Sequence, residues 1–212
     1  CSTARNQGIA AARGEAVVFL DNDCWVRTRG WIEGLLAEAG KAGVGAVQPR
    51  LVFPAPPFRI QCAGGWVSPR GQVGFIGRGE ARDDPAFAAP SDLQFAVSAC
   101  LLVPRRVLDR AGGFDEAFNP IQFEDVDLSY RIRGLGFAVR SLPSVEMYHF
   151  ENVTSARTAD LNYRYLTVKN GKLFRDRWRA RFEKEGGPDE RGLPWRDLPP
   201  TPFAPADGLP LL

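Results

Sequence analysis

The order of apolar and polar positions divides the chain into short buried runs separated by amphipathic stretches. Asn6 to Arg13 is rich in alanine and stops at Gly14, which predicts a short helix. Ala16 to Leu20 is a continuous apolar run, the pattern of a parallel strand buried on both faces. Trp31, Ile32, Leu35, Leu36 and Ala39 form a helical stripe within 31–42, ended by Gly43. Val44 to Val47 predicts a second strand, stopped by Pro49. Residues 54–90 lose this rhythm to prolines and glycines and read as an irregular insertion. Inside it, Trp66 to Ile76, broken by Ser68-Pro69-Arg70-Gly71, predicts a hairpin.

Ala96 to Val103 is strand-like again, and Pro104 falls where a first helical residue is expected, ahead of Val107, Leu108 and Ala111. Gly112-Gly113 ends that helix. Glu124 to Arg133 predicts a further helix with acids in its first turn and arginines in its last, which complements the helix dipole. Phe137 to Leu142 predicts a strand. Leu161, Tyr165, Val168, Phe174, Trp178 and Phe182 predict one long helix or two consecutive ones, with the last three aromatics docking it. Proline and glycine dominate from Gly186 onward. Residues 1–183 therefore read as the folded portion and 184–212 as a disordered or linker tail. Strands alternating with helices predict an α/β fold.

Composition narrows the classes. The 212 residues are 44% hydrophobic, enough for a sizeable core. A formal net charge of +2 supplies no strong global field, so nucleic acid is not an expected partner. The basic run Lys169, Lys172, Arg175, Arg177, Arg179, Arg181 and Lys184 reads as a solvated helix face, or as peripheral contact with an anionic membrane or a phosphate-bearing acceptor. Cys1, Cys24, Cys62 and Cys100 show no CxxC spacing; a zinc site is not expected, and free thiols fit a reducing, cytoplasmic compartment. No apolar run approaches the ~20 residues that span a bilayer. The chain opens on Cys1-Ser2-Thr3 without an initiator methionine and reads as starting inside a longer protein.

Three short stretches carry candidate chemistry. Asp21-Asn22-Asp23 follows Val17-Val18-Phe19-Leu20, the strand-end position where open α/β sheets bind ligands. Paired carboxylates there repel unless a cation or donors lie between them; the structural alternative is an Asx turn or cap. Glu124-Asp125 either caps its helix or supplies a general base, Asp125. Asp127 reads as a partner of Arg131, four residues on. His149, the single histidine, is either a satisfied structural residue or a ligand beside carboxylates, a set that suits Mn²⁺ or a similar ion. Trp25, Trp31 and Trp66 read as core residues, with stacking on a sugar as the second reading. Metal plus base is the equipment for displacing a diphosphate from an activated sugar. Two rivals stand beside it: a metal-dependent phosphohydrolase or nucleotidyltransferase, and a non-catalytic binding module.

The motifs together resemble family 2 glycosyltransferases. The residues that carry the resemblance are Ala4-Arg5-Asn6-Gln7-Gly8-Ile9, Ala12-Arg13-Gly14-Glu15 leading into Val18-Phe19-Leu20-Asp21-Asn22-Asp23, Gly112-Gly113-Phe114-Asp115-Glu116, Phe123-Glu124-Asp125-Val126-Asp127-Leu128, His149, and Asn162 to Trp178. The branch with rhamnosyltransferase-like enzymes is the most similar in pattern. The resemblance implies a GT-A (Rossmann-like) α/β fold with a mostly parallel sheet flanked by helices, here lacking the N-terminal part that reads the nucleotide. It implies Asp23, Asp21 and His149 around a divalent metal (Mn²⁺ or Mg²⁺), and Arg5, Asn6, Asp21 and Asp23 toward the nucleotide-sugar donor. Asp125 is then the base, and Glu124 orients acceptor or sugar. The implied reaction is an inverting transfer to a polysaccharide, lipid-linked glycan or other hydroxyl acceptor, in the cytoplasm or at the cytoplasmic membrane face, with UDP, dTDP and GDP sugars all allowed as donors. Residues 1–212 alone are expected to bind donor poorly and to be inactive, and to leave an exposed sheet edge at Ala16–Leu20.

Overall fold

A computed structural model describes residues 1–151 and 162–188. Helix α1 (Ser2–Ala11) leads into strand β1 (Ala16–Leu20), β2 (Cys24–Val26), α2 (Trp31–Ala39) and β3 (Val44–Val52). Then come β4 (Ile60–Cys62), β5 (Gly65–Val67), β6 (Val73–Phe75), β7 (Cys100–Pro104) and α3 (Arg105–Ala111). Helix α4 (Glu124–Gly134), β8 (Ala138–His149) and α5 (Tyr163–Glu185) complete the set. The predicted helix at 6–13 is shifted toward the N-terminus, and the predicted 161–182 stretch is one continuous helix. Leu161 and residues 189–212, including most of the predicted tail, lie outside the described residues.

The sheet runs β1-β7-β3-β8-β2, with β4 pairing β3. It is mixed rather than mostly parallel. Only β3 and β8 run parallel among the described strands; β1 with β7, β7 with β3, β8 with β2 and β3 with β4 are antiparallel. The expectation for Ala16–Leu20 is corrected in the same way. This strand lies at the sheet edge and alternates: Val17 and Phe19 are buried, whereas Leu20 is 45% exposed. Its alternate residues serve two cores, Val17 and Phe19 packing with Val107, Leu108, Phe114, Leu128 and Ile132 of the α3–α4 side. Ala16 and Val18 pack on the α2 side with Leu35, Ala39, Val47 and Leu142.

Two strands run past their expected ends, β3 past Val47 and β8 past Leu142. β3 continues through Pro49, which faces Leu142, and the next pair is Arg50 with Glu146. Residues 143–145 are left over between those pairs, so both prolines, Pro49 and Pro143, flank one ladder irregularity. β8 therefore runs on to His149. The predicted strand at 96–103 begins instead at Cys100. The amides of Ala96, Val97 and Ser98 donate to Ser129 Oγ (3.1 Å), Gln48 Oε1 (2.6 Å) and Asp125 Oδ2 (3.2 Å), so side chains take the place of a neighbouring strand. Pro104 closes β7 and caps α3 rather than entering it. The predicted hairpin forms, with Gly65–Val67 paired to Val73–Phe75.

Helix α5 packs across α4 and this hairpin. Phe174 and Phe182 are buried with Tyr130, Val126, Phe123 and Phe95, and Trp178 flanks them. Asp127, fully buried, accepts from Arg131 Nε (2.7 Å), Arg177 Nη1 (2.7 Å) and Trp178 Nε1 (2.8 Å), which joins α4 to α5. The pairing with Arg131 is the one its spacing predicts. Arg181 donates to Glu185 and to Tyr130 O, so part of the basic run serves packing, while Lys169, Lys172, Arg179 and Lys184 face outward. No described helix is long and apolar enough to cross a membrane.

Candidate active site

Asp21, Asn22 and Asp23 occupy a tight turn between β1 and β2. Asp21 N donates to Ala99 O (2.8 Å) and Cys24 N to Asp21 O (3.0 Å). β2 then adds antiparallel to the end of β8, with Cys24 opposite His149. This pairing brings Asp23 Oδ1 to 3.5 Å from His149 Nε2, across 126 positions of sequence fixed by sheet register. Gln61 on β4 sets the imidazole. Its Nε2 donates to His149 O (3.0 Å), which leaves Oε1 to accept from His149 Nδ1 at 2.6 Å. With Nδ1 engaged by Gln61, Nε2 is the ring nitrogen that faces the Asp23 carboxylate. Two electron-pair donors converging in this way fit a divalent cation, with the carbonyl-type partner on Nδ1 that orients metal-bound histidines.

Cys24 completes the one cluster of three candidate ligands among the described residues, its sulfur within 4.8 Å of Asp23 and His149 donor atoms. Sequence spacing gave no sign of it, because the proximity depends on the β2–β8 register. Burial, reinforced by Cys100 and the neighbouring aspartates, pushes its thiol far up, so it stays protonated and is a poor donor beside the other two. The four cysteines are free.

Across the cavity, Glu124 and Asp125 open α4. Its preceding residues Gln122 (φ 85°) and Phe123 (φ 71°) are both left-handed, which turns the chain sharply into the helix. Asp125 Oδ2 accepts from Ser98 N and Oδ1 from its neighbour Val126 N at 2.8 Å. Burial and the adjacent Glu124 carboxylate push Asp125 up to about 7, against the opposing pull of Arg5 and the Ser98 amide. Glu124 is itself raised, chiefly by burial. One of its oxygens meets Arg5; the other, Oε2, is buried without a hydrogen-bond partner among the described residues.

Arg5 links the two carboxylate groups. Its Nη2 donates to Asp21 Oδ1 at 2.8 Å and its Nη1 to Glu124 Oε1 at 3.1 Å. Asn6, by contrast, faces away from the site. Its amide donates to Phe114 O (2.8 Å) and accepts from Phe114 N (2.9 Å), which holds the turn at Gly112-Gly113-Phe114. Gly113 has φ 70°, and a Cβ there would come within 2.7 Å of Asn6 Oδ1. The expected donor contact of Asn6 is therefore corrected to a structural one: its hydrogen-bonding groups are consumed by the turn.

These pieces surround a cavity of about 560 Å³. Arg5, Asp21, Asp23, Glu124, Asp125 and His149 all line it. The opposite wall is apolar: Val73 and Phe75 from the hairpin, with Phe95 and Val97. Val73 and Phe75 come from the hairpin inside the irregular 54–90 insertion, and Phe95 and Val97 from the segment that follows it. Trp25, Trp31 and Trp66 do not line the cavity; Trp25 packs on Phe150 with ring centroids 5.2 Å apart.

The mixed sheet flanked by helices, with a D-x-D turn at the end of β1 and an acid-led helix facing it, is an α/β architecture of the GT-A type. Residues 1–74 match the model of glycosyl transferase family 2, the family that the motifs of the chain resemble. The chain is 31% identical over 163 residues to the O-antigen biosynthesis protein RfbC of Myxococcus xanthus, covering 73% of this chain and 12% of that protein. It is 31% identical over 152 residues to the pre-mycofactocin glycosyltransferase of Mycobacterium tuberculosis, covering 70% and 29%. An uncharacterized protein of Sinorhizobium fredii is 27% identical over 84% of this chain and 20% of its own length. The chain thus spans less than a third of each of these relatives. The crystal structure of GalNAc-T7 with UDP, GalNAc and Mn²⁺ superposes with a TM-score of 0.64 at 18% identity, over 85% of this chain and 35% of that one, which establishes the shared fold.

Proposed function

We propose that this site transfers a sugar from a nucleoside-diphosphate donor to an acceptor hydroxyl, with inversion at the anomeric carbon. The observation that carries the reading is Asp125: a carboxyl raised to about 7, on the wall of the same cavity as the Asp23–His149 pair. A base in that range accepts a proton near neutral pH yet is ionised often enough to do so. In this reading Asp125 takes the acceptor proton and Ser98 N holds its other oxygen in place. Glu124 Oε2, buried and lacking a partner, accepts a hydrogen bond from a sugar or acceptor hydroxyl. Asp23 and His149 hold a divalent cation, Mn²⁺ or Mg²⁺, which neutralises charge on the departing diphosphate when bound. Asp21 and Arg5 lie beside them toward the nucleotide.

The acceptor class, a polysaccharide or lipid-linked glycan, and the rhamnosyl-type donor follow the family resemblance alone. The outward Lys169, Lys172, Arg179 and Lys184 support peripheral contact with an anionic membrane, and with it a cytoplasmic-face location. A two-metal phosphohydrolase is less well supported, because the described residues hold one ligand cluster. The test is a panel of nucleotide sugars with Mn²⁺, offered to the complete natural protein that carries this sequence, with and without glycan acceptors. Transfer that vanishes in Asp125→Asn supports the reading. Transfer that persists, or phosphate release from simple esters instead, overturns it.

A further inference from the structure

We infer that Asn170, on α5, is a positioning residue that aims Glu124 and Asp125 by clamping the backbone in front of them. This inference rests on the proposed role of Asp125. Asn170 is wholly buried. Its Nδ2 donates to three carbonyls of one loop: Phe118 O (2.7 Å), Ile121 O (2.8 Å) and Gln122 O (3.1 Å). An amide nitrogen carries two hydrogens, so the three acceptors share them. The carbonyls also fix which way the amide faces, and its Oδ1 is left without a partner.

The clamped loop is the one that needs holding. Gln122 and Phe123 are consecutive non-glycine residues at φ 85° and 71°, a conformation that persists only where surroundings impose it. The helix beginning at Glu124 has no side-chain cap to define its start. Two further α5 residues support the same loop. Gly171 leaves room for Phe123, since a Cβ there would lie 3.1 Å from Phe123 Cζ. Phe174 packs on the Phe123 ring with centroids 5.6 Å apart. Helix α5, whose first residue Tyr163 lines the cavity, thus holds the loop that leads into the base. A shift of about 1 Å in such a group lowers turnover by up to ~100-fold while leaving binding of the other substrate largely intact.

The experiment uses the complete natural protein with Asn170→Ala, Gln122→Gly and the pair together. Two properties are read: amide hydrogen exchange across 119–126, and kcat against donor KM. In Asn170→Ala, exchange at 121–126 is expected to rise at least tenfold while β3 and β8 stay protected. Its kcat falls 10- to 100-fold and donor KM moves less than threefold. Gln122→Gly in the same chain removes the backbone strain and recovers at least a third of the lost kcat on a logarithmic scale. Unchanged exchange and kcat in a folded Asn170→Ala protein would overturn the inference. So would exchange that rises equally throughout the core, or a double variant with no recovery. Should Asn170→Ala not fold, Asn170→Ser keeps one donor and is expected to give the same local pattern at smaller size; its absence there also overturns the clamp. A wild-type protein with no transfer at all would sink the proposed function, and the exchange data would still decide whether Asn170 holds the loop.

Discussion

Arg5 Nη1 and Glu124 Oε1 meet at 3.1 Å although 119 positions separate them in sequence. The same guanidinium reaches Asp21 at 2.8 Å, so one side chain from α1 fixes the distance between the D-x-D turn and the acid pair of α4. Its charge also pulls Asp125 and Glu124 downward against burial. Removing it should therefore act on pH dependence as well as on affinity. Arg5→Ala is expected to lower turnover at pH 7 by 10-fold or more and to move the acidic limb of the rate profile upward, because Asp125 then ionises later. Arg5→Lys should restore little, since one ammonium cannot replace two separately directed N–H groups. Steady-state rates between pH 5.5 and 9 decide this; an unmoved acidic limb in Arg5→Ala would contradict it.

Asp125→Asn should separate activity from stability. Transfer is expected to fall by about 10²- to 10⁴-fold, the usual scale for loss of a general base. Stability should change in the opposite sense at alkaline pH. The folded carboxyl titrates near 7, well above its ordinary 3.8. Its contribution to folding is full below about pH 4 and is lost as pH rises through 7, where the buried group must ionise. Asp125 is partly exposed on the cavity wall, which discounts the burial effect, so Asn should stabilise by about 1–2 kcal/mol at pH 8 and by almost nothing at pH 4. Denaturant unfolding at the two pH values measures the difference.

Asp127, two residues on, should behave in the contrary way. It is fully buried between Arg131, Arg177 and Trp178, and Ala there leaves two guanidinium groups facing an empty position. Asp127→Ala is expected to destabilise by about 3–5 kcal/mol. The loss should appear as a lowered urea midpoint, and a shift under 1 kcal/mol would show that the pair of arginines finds other partners.

Gln61 is the fourth target. It fixes the His149 tautomer through two hydrogen bonds, at 2.6 and 3.0 Å. Gln61→Leu should keep the fold and weaken Mn²⁺ binding by about 10- to 100-fold. His149→Ala should weaken it further. Calorimetric titration of Mn²⁺ into the two variants gives the ranking, which would be wrong if Gln61→Leu bound the ion as tightly as the parent.

Much of this site was legible because its residues sit at element ends. Asp21 and Asp23 follow an apolar run, and Asp125 opens a helix whose charge order is plain in the sequence. His149 lies beyond the strand predicted at 137–142, because β8 continues past Pro143 to reach it. Two prolines on neighbouring strands share one bulge, and a single-chain pattern cannot show that each excuses the other. The strand at 96–103 was overextended for a related reason: its first amides bond to Ser129, Gln48 and Asp125, side chains that no local period reveals. Cys24, Gln61 and Asn170 were missed because each matters only through long-range register. Asn6 was assigned to the donor by family pattern, whereas its local partner, the Gly113 turn, lies about a hundred residues away.

The shortness of β2 carries one more consequence. Three residues, Cys24 to Val26, attach to the far margin of the sheet by pairing with β8 alone. A ladder so brief is where fraying begins. Asp23 immediately precedes β2 and His149 is the last residue of β8, so both stand at the end of that ladder. An ion gripped by both would act as a rivet on that margin, so its arrival should tighten the seam locally and lift the melting temperature even with no sugar present.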